Sequence, residues 1–388
     1  MYQLADQENA CGLSEWPDSS RTTTGTHFLP SVTKAEVGGG RFNDMARIQL
    51  VHTYESIISV ENLLEAWKEF VRGKRSRTDV QKFEHNLMYH ILSLHRDLAA
   101  KTYKHSPYEA FNISDPKPRN IHKASVRDRL LHHALYRKLY PFFDRTFIAH
   151  SYSCRRNKGG HKAVNCFRSF AYQVSHNHTR TVWVLKCDIR KFFASVDHAR
   201  LMEILRRYIQ NDDILWLLSQ IIESFHSSER SVGLPLGNLT SQLLVNVYMN
   251  EFDHFVKQQL RVKHYVRYAD DFVLLSTDRK WLQEVLSRMG DFLRDELRLT
   301  LHPQKISLRT LASGVDFLGW VHFLDHRVLR TTTKNRMFRG IKARQGKEET
   351  VQSYFGLMSH GNTKKLRQVV EDEVERMREP NGEADQSK

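Results

Sequence analysis

The spacing of apolar residues predicts helices over much of the chain. In the first third, apolar residues recur at three- and four-residue intervals with basic residues between them, as on one face of a helix. These apolar positions are Leu63, Trp67, Phe70 and Val71, then Phe83, Leu87, Ile91 and Leu94. The same spacing predicts further helices over residues 126–140, 201–209, 213–225, 241–256 and 281–297.

Shorter apolar runs predict strands. Residues 182–189 form an almost continuous apolar run, typical of a strand that is buried on both faces. Residues 264–268 and 272–276 flank a tight polar connection, which predicts an antiparallel hairpin. Because strands and helices alternate irregularly, we expect an α+β fold rather than a doubly wound parallel sheet.

The two ends of the chain differ from its middle. Residues 1–44 are rich in Ser, Thr and Gly and lack sustained periodicity, which predicts a flexible extension. The residues after Trp320 are basic and helical in pattern. No run reaches the ~18 apolar residues that a membrane span needs, so no membrane association is predicted.

The charge balance indicates the kind of partner. The 388 residues include 59 lysines and arginines against 44 aspartates and glutamates, a formal net charge of +15. Such an excess favours a polyanion such as nucleic acid, because lysine and arginine bind phosphates strongly. The four cysteines contain no C-x-x-C pair, so we expect neither a zinc site nor a disulfide framework. Reduced cysteines predict a cytoplasmic protein.

Three aspartates carry the candidate chemistry. Asp270 and Asp271 lie at the tip of the predicted hairpin, where two carboxylates repel each other unless a cation lies between them. An ordinary Asp-rich turn is the alternative interpretation. Asp188 follows a buried strand, where an unpaired carboxylate is costly. Asp188 and Asp270 could bridge two Mg²⁺ ions about 3.5–4 Å apart, the arrangement used in phosphoryl transfer. Asp197 is another candidate ligand but is better explained as a helix N-cap.

An acidic strand, a helix and an Asp-Asp hairpin in this order resemble the palm of reverse transcriptases. Residues 188–193 (Asp-Ile-Arg-Lys-Phe-Phe) are similar to the first catalytic motif of that family, and residues 268–271 form its Tyr-Ala-Asp-Asp motif. Residues 317–320 (Phe-Leu-Gly-Trp) are similar to its primer-grip turn. The matches extend from about residue 106 to residue 320.

The resemblance implies an RNA-directed DNA polymerase, a nucleotidyltransferase that binds template RNA, RNA/DNA primer-template duplex and dNTPs. Such an enzyme would use two Mg²⁺ ions, with Mn²⁺ as a substitute. The resemblance also implies the right-hand architecture of polymerases. N-terminal helices and fingers would occupy residues 45–180, a palm with an antiparallel sheet and the catalytic site residues 181–325, and a small helical, basic thumb residues 326–388.

The resemblance also implies roles for single residues. Asp188, Asp270 and Asp271 would be catalytic and, with Ile189, would hold the metal ions. Lys305 would be catalytic near the leaving pyrophosphate. The residues implied to bind the incoming dNTP are Arg119, Phe193, Gly237 and Gln242. Those implied to bind nucleic acid are Lys117, Arg127, Arg155, Arg156, Lys158, Tyr268, Gly319 and Trp320.

One motif narrows the resemblance. Residues 236–242 (Leu-Gly-Asn-Leu-Thr-Ser-Gln) replace the Pro-Gln-Gly turn of most bacterial reverse transcriptases. This form resembles the enzymes of diversity-generating retroelements, which are related to group II intron and retron reverse transcriptases. Residues 151–163 and 359–363 are also similar to that group. The subtype implies error-prone synthesis, misincorporation opposite template adenines and a small basic accessory protein.

Three alternatives remain open. A reverse transcriptase of a phage-defence system would share the chemistry and differ in purpose. An RNA-binding, maturase-like protein is disfavoured, because clustered acids would repel the phosphates that a pure binder holds. An RNA-templated RNA polymerase is disfavoured because the bulky Phe193 should clash with a ribose 2′-hydroxyl.

Overall fold

The structure is a computed structural model that describes residues 48–114 and 118–378. The predicted extension over residues 1–44 and the predicted nucleic-acid ligand Lys117 lie outside the described residues. Within them, helices and antiparallel sheets combine in an α+β fold, as the sequence predicts. No described helix combines the length and apolar character needed to cross a membrane.

The N-terminal region is a layer of helices. Ser59 caps α2 by accepting from the Asn62 amide, and Ser125 caps α5 by accepting from the Asp128 amide. The apolar periodicity across residues 83–94 does not form one helix, because Asn86 leaves the helical conformation between α3 and α4. The helices are α1 (Tyr54–Ile58), α2 (Val60–Phe70), α3 (Thr78–His85), α4 (Leu87–Ala99) and α5 (Val126–Asp144).

A two-stranded hairpin lies between α4 and α5. It consists of β1 (Glu109–Ile113) and β2 (Arg119–Lys123), which pair antiparallel with Glu109 opposite Lys123. Most of its side chains are exposed or half-buried. The hairpin therefore extends from the helical layer rather than forming part of its core.

The central sheet has four antiparallel strands in the order β4-β5-β3-β6. The register sets Asp188, the last residue of β3, opposite Asp271, the first residue of β5. The strands are β3 (Trp183–Asp188), β4 (Tyr265–Tyr268), β5 (Asp271–Ser276) and β6 (Ser307–Thr310). The predicted strand and hairpin are confirmed, whereas β6 was not predicted.

Alternating side chains of the sheet enter two different cores. Leu185 and Cys187 pack with the helices of the larger core, while Val184 packs on the opposite face with Phe167 and Phe170. Both faces are covered, which explains the nearly continuous apolar pattern of β3. The surrounding helices are α6 (Gly160–Val174), α7 (His198–Arg206), α8 (Asp212–Ile222), α9 (Leu239–His254) and α10 (Arg279–Leu297).

The C-terminal region starts with a second sheet and ends in three helices. Its apolar side chains form a core of their own, in which Trp320 contacts residues of the helices. Gly361 lies so close that an added Cβ would come within 2.1 Å of the Trp320 ring. The elements are β7 (Val315–Phe317), β8 (Trp320–His322), β9 (Arg327–Leu329), α11 (Thr331–Ala343), α12 (Glu348–Met358) and α13 (Lys364–Arg378).

Candidate active site

Three carboxylates meet where the two central strands of the sheet, β3 and β5, come to an end. Asp188 and Asp271 are paired across β3 and β5, and Asp270 lies in the turn that joins β4 to β5. The Ile189 amide donates to the Asp270 carbonyl at 3.2 Å, which joins the end of β3 to that turn. The turn has only two residues, and Ala269 takes a left-handed conformation with φ 56°. Strand pairing therefore brings together acids that are 82 residues apart in sequence, from 188 to 270.

The carboxylates strongly perturb one another. Burial, together with the charges of Asp271 and Asp188, raises the pKa of Asp270 to about 7. The pKa of Asp271 is also raised, first by burial and further by Asp188, against the lowering effect of Lys186. Three like charges in a desolvated site favour proton uptake or cation binding.

Two lysines supply the positive charge around these carboxylates. Lys305 Nζ donates to Asp188 Oδ1 at 2.7 Å, and Lys186 Nζ lies 3.7 Å from Asp271 Oδ1. The His302 amide donates to the Asp188 carbonyl at 2.7 Å and so fixes the chain near Lys305. Sequence reasoning missed Lys186. The available signal was its position two residues before Asp188, on the same face of β3.

The donor chemistry of the site fits a hard divalent cation. Carboxylate oxygens are the ligands that Mg²⁺ prefers, and the buried Asp271 Oδ1 has no hydrogen-bond partner. The described residues contain no group of three or more His, Cys, Asp or Glu side chains arranged to hold a metal. One oxygen of Asp188 is instead bonded to Lys305. Cation binding would therefore compete with this lysine.

Two consecutive phenylalanines follow Asp188 on a short 3-10 turn. Phe192 is buried in the large core, whereas Phe193 is half-buried at its margin. Their rings lie edge to face with centroids 5.7 Å apart. The Phe193 carbonyl accepts from the Leu234 amide at 2.7 Å, which connects this turn to the segment before Gly237.

The loop that carries Gly237 is bonded to strand β2. The His122 amide donates to the Leu236 carbonyl at 3.1 Å, and Asn238 Nδ2 donates to the His122 carbonyl at 2.9 Å. Gly237 has φ 98°, and a Cβ there would lie 2.8 Å from Ile121 Cγ2. Only glycine therefore fits without strain. These contacts join the loop to the strand that begins at Arg119.

The other predicted dNTP ligands differ in exposure. Arg119 is half-buried, whereas Gln242 on α9 retains only 7% of its surface. The predicted ligand Ile189 is itself 1% exposed, so only its main chain could contribute. Their roles stay predictions.

Three residues that are predicted to contact nucleic acid are largely buried in the structure. Arg155 bonds Asp144 at 2.7 Å and also donates to the carbonyls of Ile148 and Ser151, so its guanidinium is used within the protein. Trp320 is 1% exposed and belongs to the C-terminal core, and Tyr268 is 5% exposed within the sheet. Their roles in binding nucleic acid stay predictions.

The remaining predicted nucleic-acid ligands have nearby partners within the protein. Arg127 bonds Asp97 at 2.6 Å, and Lys158 donates to the Ala149 carbonyl at 2.8 Å. The Arg156 guanidinium lies over the Tyr140 ring. Gly319, with φ 83°, follows Leu318, with φ 49°, in the turn between β7 and β8. Lys158 is half-buried, and the roles of all four residues stay predictions.

Comparison with known proteins supplies the decisive observation. Residues 112–322, more than half of the chain, match the family model described as reverse transcriptase (RNA-dependent DNA polymerase). The chain belongs to the reverse transcriptase family. The match includes the whole central sheet and all three clustered aspartates.

Individual relatives are more distant. Protein YkfC of Escherichia coli (strain K12) is 27% identical over 259 residues, which are 57% of this chain and 66% of the relative. Group II intron-encoded protein LtrA of Lactococcus lactis subsp. cremoris is 20% identical over 308 residues, which are 61% of this chain and 49% of the relative. The aligned region spans less than two thirds of either relative.

A solved structure of telomerase from Candida albicans, in complex with a TWJ fragment of telomeric RNA, is also similar. Its TM-score is 0.48 at 14% identity, with 71% of this chain and 55% of that chain covered.

Proposed function

We propose that this chain is an RNA-directed DNA polymerase whose catalytic residues are Asp188, Asp270 and Asp271. The observation that carries the proposal is the convergence of these three carboxylates at the end of the two central strands, within the region that matches the family. Divalent ions held by the three aspartates and the main chain of Ile189 would stabilise the attacking and leaving oxygens of phosphoryl transfer.

The lysines and Phe193 complete the proposed site. Lys305, which holds Asp188 in the structure, would exchange this carboxylate for the phosphates of the nucleotide when a cation enters. Phe193 would pack against the sugar and exclude a 2′-hydroxyl. Arg119 would donate to the triphosphate. The hydrogen bonds between β2 and the Gly237 loop would hold these two segments around the nascent base pair.

The proposed domain division follows the right-hand plan. The helical layer and the β1–β2 hairpin, residues 45–180, would form the N-terminal helices and fingers. Residues 181–325 would form the palm, and the basic helices after residue 326 would form a thumb along the template–primer duplex.

The proposed subtype is a diversity-generating retroelement enzyme, error-prone and assisted by a small basic accessory protein. Its support is the loop over residues 236–242, whose Gly237 packs against Ile121 with no room for a side chain. A change in that loop would alter the surface that meets the nascent base pair, which is where fidelity is decided.

Primer extension on a defined RNA template tests both levels. The full chain is given Mg²⁺ and each dNTP, with Asp270→Ala as the inactive control, and the products are sequenced. Metal-dependent synthesis that the substitution abolishes supports the polymerase. Errors concentrated at template adenines support the subtype, and faithful synthesis favours a defence enzyme. Failure with cognate RNA and accessory protein supplied would overturn the proposal.

A further inference from the structure

A cavity of about 300 Å³ lies away from the carboxylates, at the far end of the β8–β9 hairpin. It is enclosed by α6, by this hairpin and by residues 360–362. The lining residues used below are Arg168, His322, Phe323, His326, Arg327 and His360. This volume is at the lower end of the range for ligand pockets and admits a phosphate group with an attached sugar.

Arg327 is the central side chain of the cavity. Its exposed fraction is 8%, and its guanidinium contacts the Trp320 ring at 5.5 Å. Nη2 donates to Asn165 Oδ1 at 2.9 Å, and Nε donates to the His360 carbonyl. Nη1 is buried without a hydrogen-bond partner. A desolvated guanidinium N–H that lacks an acceptor is unfavourable, and an anionic oxygen is its natural complement.

Among the described residues, no carboxylate is paired with this arginine. Within the ranges 48–114 and 118–378, neither Arg327 nor the nearby Arg168 forms an ion pair, and Asp325, the one acid of the lining, lies 2.7 Å from His326. The charge of Arg168 lowers the pKa of Arg327, after the larger effect of burial. Two arginines that form no ion pair with the described residues therefore line one cavity.

The neighbouring histidines respond to this positive field. Burial, and after it the charge of Arg327, lowers the pKa of His322 to about 3 and also lowers the pKa of His360. His322 Nε2 is buried and has no hydrogen-bond partner. The cavity thus combines unpaired positive donors with a neutral imidazole that can hydrogen-bond a hydroxyl or an amino group.

We propose that this cavity is a phosphate-binding site, with Arg327 and Arg168 as donors to the phosphate oxygens and His322 beside the attached sugar. The guanidinium fork matches phosphate better than a single charge does. The site goes beyond the proposed polymerase function, because it binds phosphate without any use of Asp188, Asp270 or Asp271. The phosphate comes either from a nucleic-acid backbone or from a free nucleotide or phosphate ion.

The first measurement is titration calorimetry of the full chain with inorganic phosphate in EDTA, which removes metal-mediated binding at the carboxylates. Arg168 is exposed, so Arg168→Gln should leave the fold intact. We expect this variant to weaken phosphate binding about tenfold. Arg327→Gln should abolish phosphate binding. It is the second variant because it also removes the hydrogen bonds to Asn165 and His360 and can therefore disturb the fold. Arg288→Gln, an exposed arginine on α10 outside the lining, is the charge-matched control.

The second measurement distinguishes the sources of the phosphate. RNA/DNA duplex affinity is measured in EDTA against salt concentration for the same variants. If the phosphate belongs to a nucleic acid, Arg168→Gln should bind the duplex more weakly than Arg288→Gln. Its slope of log affinity against log salt concentration should be smaller in magnitude by about one. A free phosphate or nucleotide predicts lost phosphate binding with unchanged duplex affinity. If Arg168→Gln matches Arg288→Gln in both measurements, the proposal is overturned.

Discussion

The β4–β5 hairpin takes part in two acidic environments that differ in how their charges are satisfied. Asp253, on α9, accepts two hydrogen bonds from the Arg267 guanidinium at 2.8 and 2.6 Å, and a third from the Tyr265 hydroxyl at 2.7 Å. A few residues away, Asp270 and Asp271 face Asp188, and the pKa of Asp270 rises to about 7. The same residue type is fully compensated in one environment and repelled in the other.

The two environments are physically connected. Arg267 is completely buried, and its Nη1 donates to the Ala269 carbonyl at 3.2 Å, directly beside Asp270. Burial opposes its charge, but Asp253 more than offsets this effect and raises the pKa of Arg267. Arg267, which is paired with Asp253, therefore anchors the turn beside Asp270 and Asp271. An acid that is surrounded by hydrogen-bond donors indicates a structural role. Acids that face one another indicate a site that binds a cation or a proton.

The largest expected effect is on catalysis. Asp270→Asn should lower primer extension about 10³-fold, in the range seen when a preorganised charge is removed from a site. It should not lower the free energy of unfolding, because it removes a repelled charge. Steady-state kinetics and urea unfolding of the same preparation measure both. Activity within tenfold of wild type would contradict the assigned role of Asp270.

The compensated pair should show the opposite pattern. Asp253→Asn removes one charge and leaves Arg267 buried without a carboxylate, which should cost about 3–5 kcal/mol of unfolding free energy. Urea unfolding measures this loss. Asp325→Asn, which breaks an exposed pair with His326, is the matched control and should leave stability nearly unchanged. Equal stabilities for the two variants would contradict the structural role of the buried Asp253–Arg267 pair.

The pH dependence of stability should sharpen the comparison. Asp270 has a folded pKa of about 7, above the ~3.9 of an unfolded aspartate. Its contribution is therefore fully present below pH ~4 and is lost as pH rises through ~7. In EDTA, wild type should lose at most about 1.4 kcal/mol per pH unit relative to Asp270→Asn over this window.

Added Mg²⁺ gives the control for that titration. A cation between the carboxylates should flatten the difference between wild type and Asp270→Asn, because it favours the ionised form. Unfolding curves at pH 5, 6, 7 and 8, with and without Mg²⁺, measure the change. A pH slope that Mg²⁺ leaves unaltered would argue against cation binding at Asp270.

The smallest expected effect concerns the adjacent phenylalanines. Phe193→Ala should raise the use of ribonucleotides over deoxynucleotides about tenfold, because a bulky ring at the sugar is removed and about 1–3 kcal/mol of discrimination is typical of a pocket contact. Phe192→Ala, which empties the core, should instead lower stability by about 3–5 kcal/mol. Competition assays with paired rNTP and dNTP measure the ratio. Unchanged discrimination in Phe193→Ala would refute its proposed role.

Local patterns predicted many of the elements. The α+β class, the strand that ends at Asp188, the hairpin with its Tyr-Ala-Asp-Asp tip and the N-cap role of Asp197 all follow from short-range sequence. The apolar spacing predicts one helix across residues 83–94, and this prediction was wrong. The chain leaves the helical conformation at Asn86, and the apolar spacing continues from one helix into the next. Helix α6 was missed although its apolar residues recur at helical spacing over 15 residues. Strands β6 to β9 were missed because none is longer than four residues. The catalytic roles of the three aspartates remain proposals.

Exposure was the property that local patterns could not supply. The family resemblance implies nucleic-acid contacts for Arg155 and Trp320, yet one is enclosed by Asp144 and backbone carbonyls and the other by the C-terminal core. A residue type gives the interactions that a side chain can make. Only the packing of distant segments determines whether solvent or a ligand can reach it.

The sequence by itself determined the periodicity of the elements, the excess of positive charge and the position of each carboxylate along the chain. The tertiary structure decided which charges meet. It placed Asp188 opposite Asp271, paired Asp253 with Arg267 and, among the described residues, left Arg327 beside Arg168 without an ion pair. The physical reason is that electrostatic interactions depend on distance and burial, and both are set by contacts between segments far apart in the chain.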